Sequence, residues 1–245
     1  MSMHQTIIEK DKLVRGNKFL GRIDLQFRYP KTGYEAVIYM APPKGKRVLD
    51  VGCGNGLLLY NLRDRFEELI GLDLIPEQAE WARRTLDGLP QKVDIRVGNI
   101  EEDTDFSDGY FDYITMENAI EHLFDVRRVI REMIRILKTG GRLCIVTPNI
   151  AYLKRRLRLL AGRFPWTSNT KSMIEDNELV DGGHIHYFTL SDLRFLVSGH
   201  GTVRSLGFGG ALKIIGKNFW PGLLASGACV TVDKEARTPA ETSNP

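Results

Sequence analysis

Between residues 46 and 150 the spacing of apolar positions switches repeatedly, and each switch marks an element. Val48-Leu49-Asp50-Val51 is a short apolar run, which predicts a buried strand over 47–51. Gly52, Gly54 and Gly56 stop it abruptly, and Leu57-Leu58-Leu59-Tyr60-Asn61-Leu62 opens a helix expected to reach about Phe66. A second strand, 68–73, ends in Asp73, and Pro76 sits well as the first residue of a helix with Ala79, Ala82, Leu86 and Leu89 on one face. Strand 93–97 follows, then the turn Ser107-Asp108-Gly109 and strand 111–115. Asp125 can cap a helix in which Val126, Val129, Ile130, Met133, Ile134 and Leu137 keep helical spacing. Lys138-Thr139-Gly140-Gly141 ends it before a strand at 142–147. Strands alternating with helices predict an α/β fold, a mostly parallel sheet with helices on both faces.

The flanks keep a different rhythm. Residues 1–45 show a loose helical pattern (Ile7, Ile8, Leu13, Phe19, Leu20, Ile23, Leu25, Phe27), then a helix over 33–41 stopped by Pro42-Pro43, which together predict an N-terminal helical cap. Residues 150–188 read as an insertion in the main domain, 46–233. Ile150, Leu153, Leu157 and Leu160 make an apolar stripe, with Lys154, Arg155, Arg156, Arg158 and Arg163 crowding the other faces. Such a basic amphipathic helix, 150–163, fits a solvated face, a peripheral membrane surface or an acidic substrate. The polar stretch 167–183, with Gly182-Gly183, is a candidate lid. Thr189 and Asp192 form a capping-box start for a helix to about Ser198, and strands are expected at 202–207 and 228–233. The tail 234–245, rich in Thr, Pro, Glu and Ser, is expected to be disordered.

Composition narrows the classes. With 34 basic and 31 acidic residues and a net charge of +3, the 245-residue chain makes no electrostatic case for nucleic acid. Cys53, Cys144 and Cys229 are odd in number and show no C-x-x-C spacing, so neither a disulfide framework nor a zinc cluster is indicated. Reduced thiols, the absence of an apolar leader segment and the lack of a long apolar stretch lead us to expect a cytoplasmic protein without a transmembrane helix.

The chemistry gathers at the strand ends. The glycine loop departs from the dinucleotide fingerprint G-x-G-x-x-G because Leu57 holds the place of its third glycine. The pattern Asp50-x-Gly52-x-Gly54-x-Gly56 instead resembles motif I of the class I S-adenosylmethionine-dependent methyltransferases. The stop Leu137-Lys138-Thr139-Gly140-Gly141 and the strand ending in Pro148-Asn149 add to that resemblance, which covers roughly 45–150 well and 184–233 loosely. It implies a Rossmann-like sheet of seven strands with a helical cap or lid, S-adenosylmethionine as cofactor and S-adenosylhomocysteine as product. Cofactor contacts would fall on Asp50, Gly52, Cys53, Gly54, Asn55, Gly56, Asp73, Leu74, Asn99, Ile100 and Glu117. Asp73, 21 residues after Gly52, would hold the ribose hydroxyls, and Asn99 and Ile100 would frame the adenine. Tyr29 and Tyr34 lie where the resembling enzymes cover the cofactor.

Among the subtypes, the chain resembles small-molecule enzymes of the ubiquinone-biosynthesis and polysaccharide- or natural-product-associated kind. The expected reaction is O-methylation of a small-molecule or glycan-like acceptor. His122, His184 and His186 are the candidate general bases, since histidine accepts a proton near neutral pH. Some relatives carry E-x-x-E-H after strand 4, which can hold a divalent cation. Here that stretch reads Asn118, Glu121, His122, one carboxylate short, and Glu117 is expected to point elsewhere on a helix, so no metal set is assigned. Other readings stay open: a metal-assisted RNA methyltransferase, a non-catalytic adenosyl-binding module and an NAD-dependent oxidoreductase. No nucleic-acid partner is expected, and the oligomeric state is left open.

Overall fold

The computed structural model describes residues 29–168, 181–210 and 220–236. The predicted pattern before Tyr29, most of the candidate lid and the tail beyond residue 236 lie outside the described residues.

Seven strands form one sheet: β1 (Gly45–Val51), β2 (Phe66–Asp73), β3 (Lys92–Val97), β4 (Phe111–Glu117), β5 (Leu137–Pro148), β6 (Gly201–Phe208) and β7 (Gly227–Lys234). Their order is β3-β2-β1-β4-β5-β7-β6. β1 to β5 run parallel, and β7 is antiparallel to both β5 and β6. The order reverses at β1, whose neighbours are β2 and β4, so a crevice opens beyond the carboxyl ends of those three strands.

Alternation along the strands divides the core into two layers. Val48, Leu69 and Tyr113 face α1 (Gly33–Met40), α2 (Leu57–Leu62) and α3 (Pro76–Leu86), whose Val37, Leu59 and Ala82 are buried there. Leu49, Ile70 and Ile114 face the other layer, filled by Val129, Ile130 and Met133 of α4 (Val126–Ile136) and by Leu193 and Val197 of α6 (Leu190–Val197). Asp125 caps α4 by accepting the Arg128 N–H at 2.9 Å, and Thr189 and Asp192 close a capping box on α6. Truncating the buried Ile130 to alanine would cost about 2–5 kcal/mol through lost burial and the cavity left behind.

Three boundaries differ from the pattern, each for a tertiary reason. The helix after the glycines ends at Leu62 rather than Phe66. Phe66 opens β2, pairs with Gly45 and stacks on Tyr113 at 5.9 Å, so sheet pairing overrides helical spacing. β5 begins at Leu137, because the Lys138-Thr139-Gly140-Gly141 stop is absorbed through a register shift opposite Phe111/Tyr113. Lys234, placed in the disordered tail, is the last residue of β7, and its ammonium donates to the carbonyls of Ile134 (2.7 Å) and Leu137 (2.6 Å) at the end of α4. The remaining helix of the insertion, α5 (Leu153–Leu160), leaves β5 through Asn149. Among the described residues no helix is long and apolar enough to cross a membrane.

Candidate active site

Two kinds of construction meet at the crevice. On the β1–β2 side, the chain turns from strand to helix across the glycines. Gly52 (φ 71°) donates to the Leu72 carbonyl at 2.8 Å, and a Cβ there would lie 3.1 Å from the Ala119 methyl. Gly56 (φ 77°) lies against α3, where a Cβ would come within 3.0 Å of Ala82 Cα. The first amides of α2 are not an open row: Leu57 N–H donates to Asn55 Oδ1 at 3.2 Å, and Gly56 N–H to the Cys53 carbonyl at 2.9 Å. Cys53 is buried, with its Sγ beside the Cα of Gly71, and burial followed by the charges of Asp50 and Asp73 pushes its thiol well up.

Asp73 is positioned by two backbone amides, Gly54 N–H on Oδ2 at 2.8 Å and Ile75 N–H on Oδ1 at 2.9 Å. Each oxygen keeps a second lone pair, so the carboxylate can still accept hydroxyl donors. Leu74, next in the chain, is 65% exposed beside it. Asn99 folds its Oδ1 back onto the Glu101 N–H at 3.0 Å, and the Ile100 side chain packs into the core with Leu72 and Met116.

Asp50, Asp73 and Glu117 stand at or next to the carboxyl ends of adjacent strands. Glu117 closes β4 instead of lying on a helix, because the strand continues pairing with β5 as far as Glu117↔Val146. Burial, then the charges of Glu117 and Asp73, push the Asp50 carboxyl well above its usual range. Burial, then Glu121, push Glu117 up to about 7. The Tyr34 phenol, on α1, is pushed up by burial and then by the charges of Glu117 and Asp50. No basic side chain among the described residues relieves Asp50 or Glu117. A buried acidic basin of this kind favours a cationic ligand and penalises an anionic one.

The β4–β5 side is built from long-range hydrogen bonds. Glu121 is buried in the single 3₁₀ turn Ile120–His122. Its Oε2 accepts from Thr147 Oγ1 at 2.9 Å, and its carbonyl accepts from the N–H groups of Ile185 (3.0 Å) and His186 (3.1 Å). Asp181 accepts from Thr167 N–H (2.8 Å), Ser168 N–H (2.8 Å) and the Thr167 hydroxyl. Burial pushes the Asp181 carboxyl up, but these donors from Thr167 and Ser168 outweigh it and hold it below its usual value. Ionised, Asp181 can only accept, so the Thr167 hydroxyl is the donor to it. The contact of 2.6 Å between Thr167 Oγ1 and His184 Nδ1 is then donated by the imidazole, which leaves the lone pair of His184 on Nε2.

His122 follows the same logic. Its Nδ1 lies 3.1 Å from the Gly183 carbonyl, which can only accept, so its lone pair is also on Nε2. The two rings meet edge to face at 4.9 Å. His184 Nε2 lies 3.8 Å from Glu121 Oε1, which is buried with no hydrogen-bond partner among the described residues. Glu121, His122 and His184 each bring one ligand atom within 4.8 Å of the others. His186 stands apart from this trio: its ring tilts against Phe188 at 5.9 Å, and its Nε2 is buried without a partner among the described residues. Asn118 (φ 52°) donates its amide to Glu117 Oε1 at 2.6 Å, on the cofactor side. Thr147, Thr167 and Asp181 were not singled out from the sequence, where the only hint was the spacing Asp181-x-x-His184.

A mostly parallel sheet whose order reverses at β1, with a glycine loop at that point, is the frame of an S-adenosylmethionine-dependent methyltransferase. The chain belongs to the family described as "Methyltransferase domain", which matches residues 28–202. Among curated relatives, a ubiquinone biosynthesis O-methyltransferase of Xanthomonas oryzae pv. oryzae is 40% identical over 107 residues, 43% of this chain and 44% of that protein. The matched stretch thus spans less than half of that relative's length. Two solved structures share the fold. One is a protein of Thermotoga maritima described as a possible histamine N-methyltransferase (TM-score 0.60, 19% identity, 94% of this chain and 96% of that one). The other is the YcgJ protein of Bacillus subtilis (TM-score 0.59, 22% identity, 84% and 99%). The cofactor is S-adenosylmethionine and its product S-adenosylhomocysteine. The oxidoreductase reading falls, and the basin gives the physical reason: a sulfonium and an ammonium suit buried carboxyls, and a pyrophosphate does not.

Proposed function

We propose that the enzyme methylates a hydroxyl of a small-molecule or glycan-like acceptor, with His184 or His122 as the general base. The observation that carries this is the pair of imidazoles meeting at 4.9 Å, His184 half-buried and His122 exposed, whose hydrogen bonds put the lone pair of each neutral ring on Nε2. A bound S-adenosylmethionine would supply an electrophilic methyl on its sulfonium, and Nε2 of His184 or His122 would take the proton that the acceptor hydroxyl gives up. Asp73 holds the ribose, Leu74, Asn99 and Ile100 frame the adenine, and Asp50 and Glu117 face the cationic end of the cofactor. The name of the Xanthomonas relative supports oxygen as the accepting atom. The test is transfer of a radiolabelled methyl to panels of phenols, sugars and amines. Hydroxyl acceptors alone should be labelled, and His184→Ala or His122→Ala should cut labelling about 10²- to 10⁴-fold while S-adenosylhomocysteine still binds. Labelling confined to amines, or unchanged in both the His122→Ala and His184→Ala variants, overturns the proposal.

A second reading has its own support, the orphaned Glu121 Oε1 beside two imidazole lone pairs. Glu121, His122 and His184 would hold a divalent cation, and one carboxylate with two imidazoles suits zinc, manganese or iron better than magnesium. A bound cation would supply Lewis-acid polarisation of the acceptor oxygen. Calorimetric titration of the chelator-treated protein with Zn²⁺ and Mn²⁺ should give heat that Glu121→Gln removes. No heat sinks this reading and leaves the histidine base standing.

A further inference from the structure

α5 turns its leucines outward and two of its arginines, Arg155 and Arg158, inward. Leu153, Leu157 and Leu160 recur at i, i+4 and i+7 along one stripe, and they are 37%, 55% and 84% exposed. Leu159 and Phe164, just past the helix, are exposed as well, and no residue of α5 is buried. The inner side is held by polar contacts instead. The Arg155 guanidinium donates to the carbonyls of Asn149 (2.8 Å), Ser226 (2.7 Å) and Trp166 (3.1 Å), and Arg158 donates to that of Phe164 (3.2 Å). A surface helix of a soluble domain has the opposite orientation, with the apolar stripe against the core.

The surroundings say what would cover such a stripe. Residues 149–168 hold five basic side chains and no acidic one. Lys154 and Arg156 are exposed and flank the leucines on either side of the helix, and Arg163 is exposed beside Phe164. A second copy of this face would set cations against cations, which disfavours self-association. Apolar side chains ringed by cations complement a layer whose surface is anionic and whose interior is hydrocarbon.

We propose that α5 docks the protein on an anionic lipid bilayer, with Leu153, Leu157 and Leu160 in the acyl boundary and Lys154, Arg156 and Arg163 on headgroup phosphates. The helix follows directly from the carboxyl end of β5, so docking would hold the catalytic edge next to the membrane surface. This inference is independent of which acceptor is methylated.

The test is sedimentation of the full chain with vesicles of phosphatidylcholine alone and of phosphatidylcholine mixed with phosphatidylglycerol. The protein should pellet with the mixed vesicles only, and less so as salt rises. Leu157→Glu with Leu160→Glu should abolish pelleting, and Lys154→Ala with Arg156→Ala should weaken it roughly tenfold to thirtyfold. None of the four side chains is buried, so unchanged S-adenosylhomocysteine binding should confirm that both variants are folded. Absence of pelleting with the mixed vesicles overturns the proposal. So does pelleting that the leucine variant retains, which would put the contact elsewhere in the chain. A dimer in sedimentation velocity that the leucine variant dissolves would make a second copy the occupant and overturn it too.

Discussion

The proposed cofactor side of the crevice and the proposed acceptor side differ in how their residues are held. Asp50, Asp73 and Glu117 come with their strands, and the nearest loops position them through backbone amides or short side-chain contacts such as Gly54 to Asp73 and Asn118 to Glu117. Glu121, His122 and His184 depend on side-chain bonds that join distant stretches: Thr147 to Glu121, Thr167 to His184, and Thr167 and Ser168 to Asp181. The first half inherits its precision from the sheet, which is rigid. The second half is a chain of hydrogen bonds, so removing one member changes how the next presents its lone pair. Ligand binding and turnover should therefore be separable by mutation.

The largest break in that comparison should come from His184→Ala. With a base lost, turnover should fall about 10²- to 10⁴-fold. The S-adenosylhomocysteine dissociation constant, measured by calorimetry, should not move. A matching loss of cofactor affinity would mean that the two sides are one unit. Asp73→Ala is the converse. Hydrogen bonds to a charged group contribute about 1.5–3 kcal/mol, so affinity should drop roughly tenfold to 150-fold. Turnover at saturating cofactor should largely survive.

Glu117 tests the acidic basin through pH. Its folded pKa of about 7 lies above the ordinary glutamate value, so its contribution to stability is fully present below that ordinary value and is lost as pH rises through 7. The thermal midpoint of the free protein should therefore fall between about pH 4.5 and 7 more steeply than that of Glu117→Gln. Cofactor binding should tighten as pH rises through about 7, where the carboxylate forms to meet the cation. Equal pH slopes in the two proteins would remove Glu117 from the basin. The smallest effect is expected at Thr167, a positioning residue. Thr167→Val should let His184 adopt the other tautomer, read from its ring ¹⁵N shifts, and slow turnover about tenfold, while Thr167→Ser restores both. A valine variant whose ring shifts match the wild type would show that Thr167 does not set the tautomer.

Much of the frame was legible because its signals are local. An apolar run, three glycines and an amphipathic run mark β1, the loop and α2 whatever else the chain does, and Asp73 at the end of β2 and Asp125 at the start of α4 stand where their neighbours in the chain predict. The errors fell where a distant element competed. Phe66 has a helical position in the pattern and a strand partner in the sheet, and the partner prevailed. Lys234 looks like tail until α4's terminal carbonyls are placed beside it. Cys144 and Cys229 are far apart in the chain, but neighbouring strands bring their Sγ atoms to 3.7 Å as free thiols. The stripe of α5 was visible in the sequence, and its outward direction was not, because periodicity defines a face without saying which way it turns.

The sequence by itself determined the strand–helix alternation, the glycine loop, the acids at the strand ends and so the kind of cofactor. Each of these rests on residues within one turn or one strand of each other. Only the tertiary structure decided which histidines meet, that Thr167 and Asp181 orient one of them, that Glu117 ends a strand and that α5 faces outward. Those depend on contacts between residues far apart in the chain, and spacing along a chain carries no record of what folds against it.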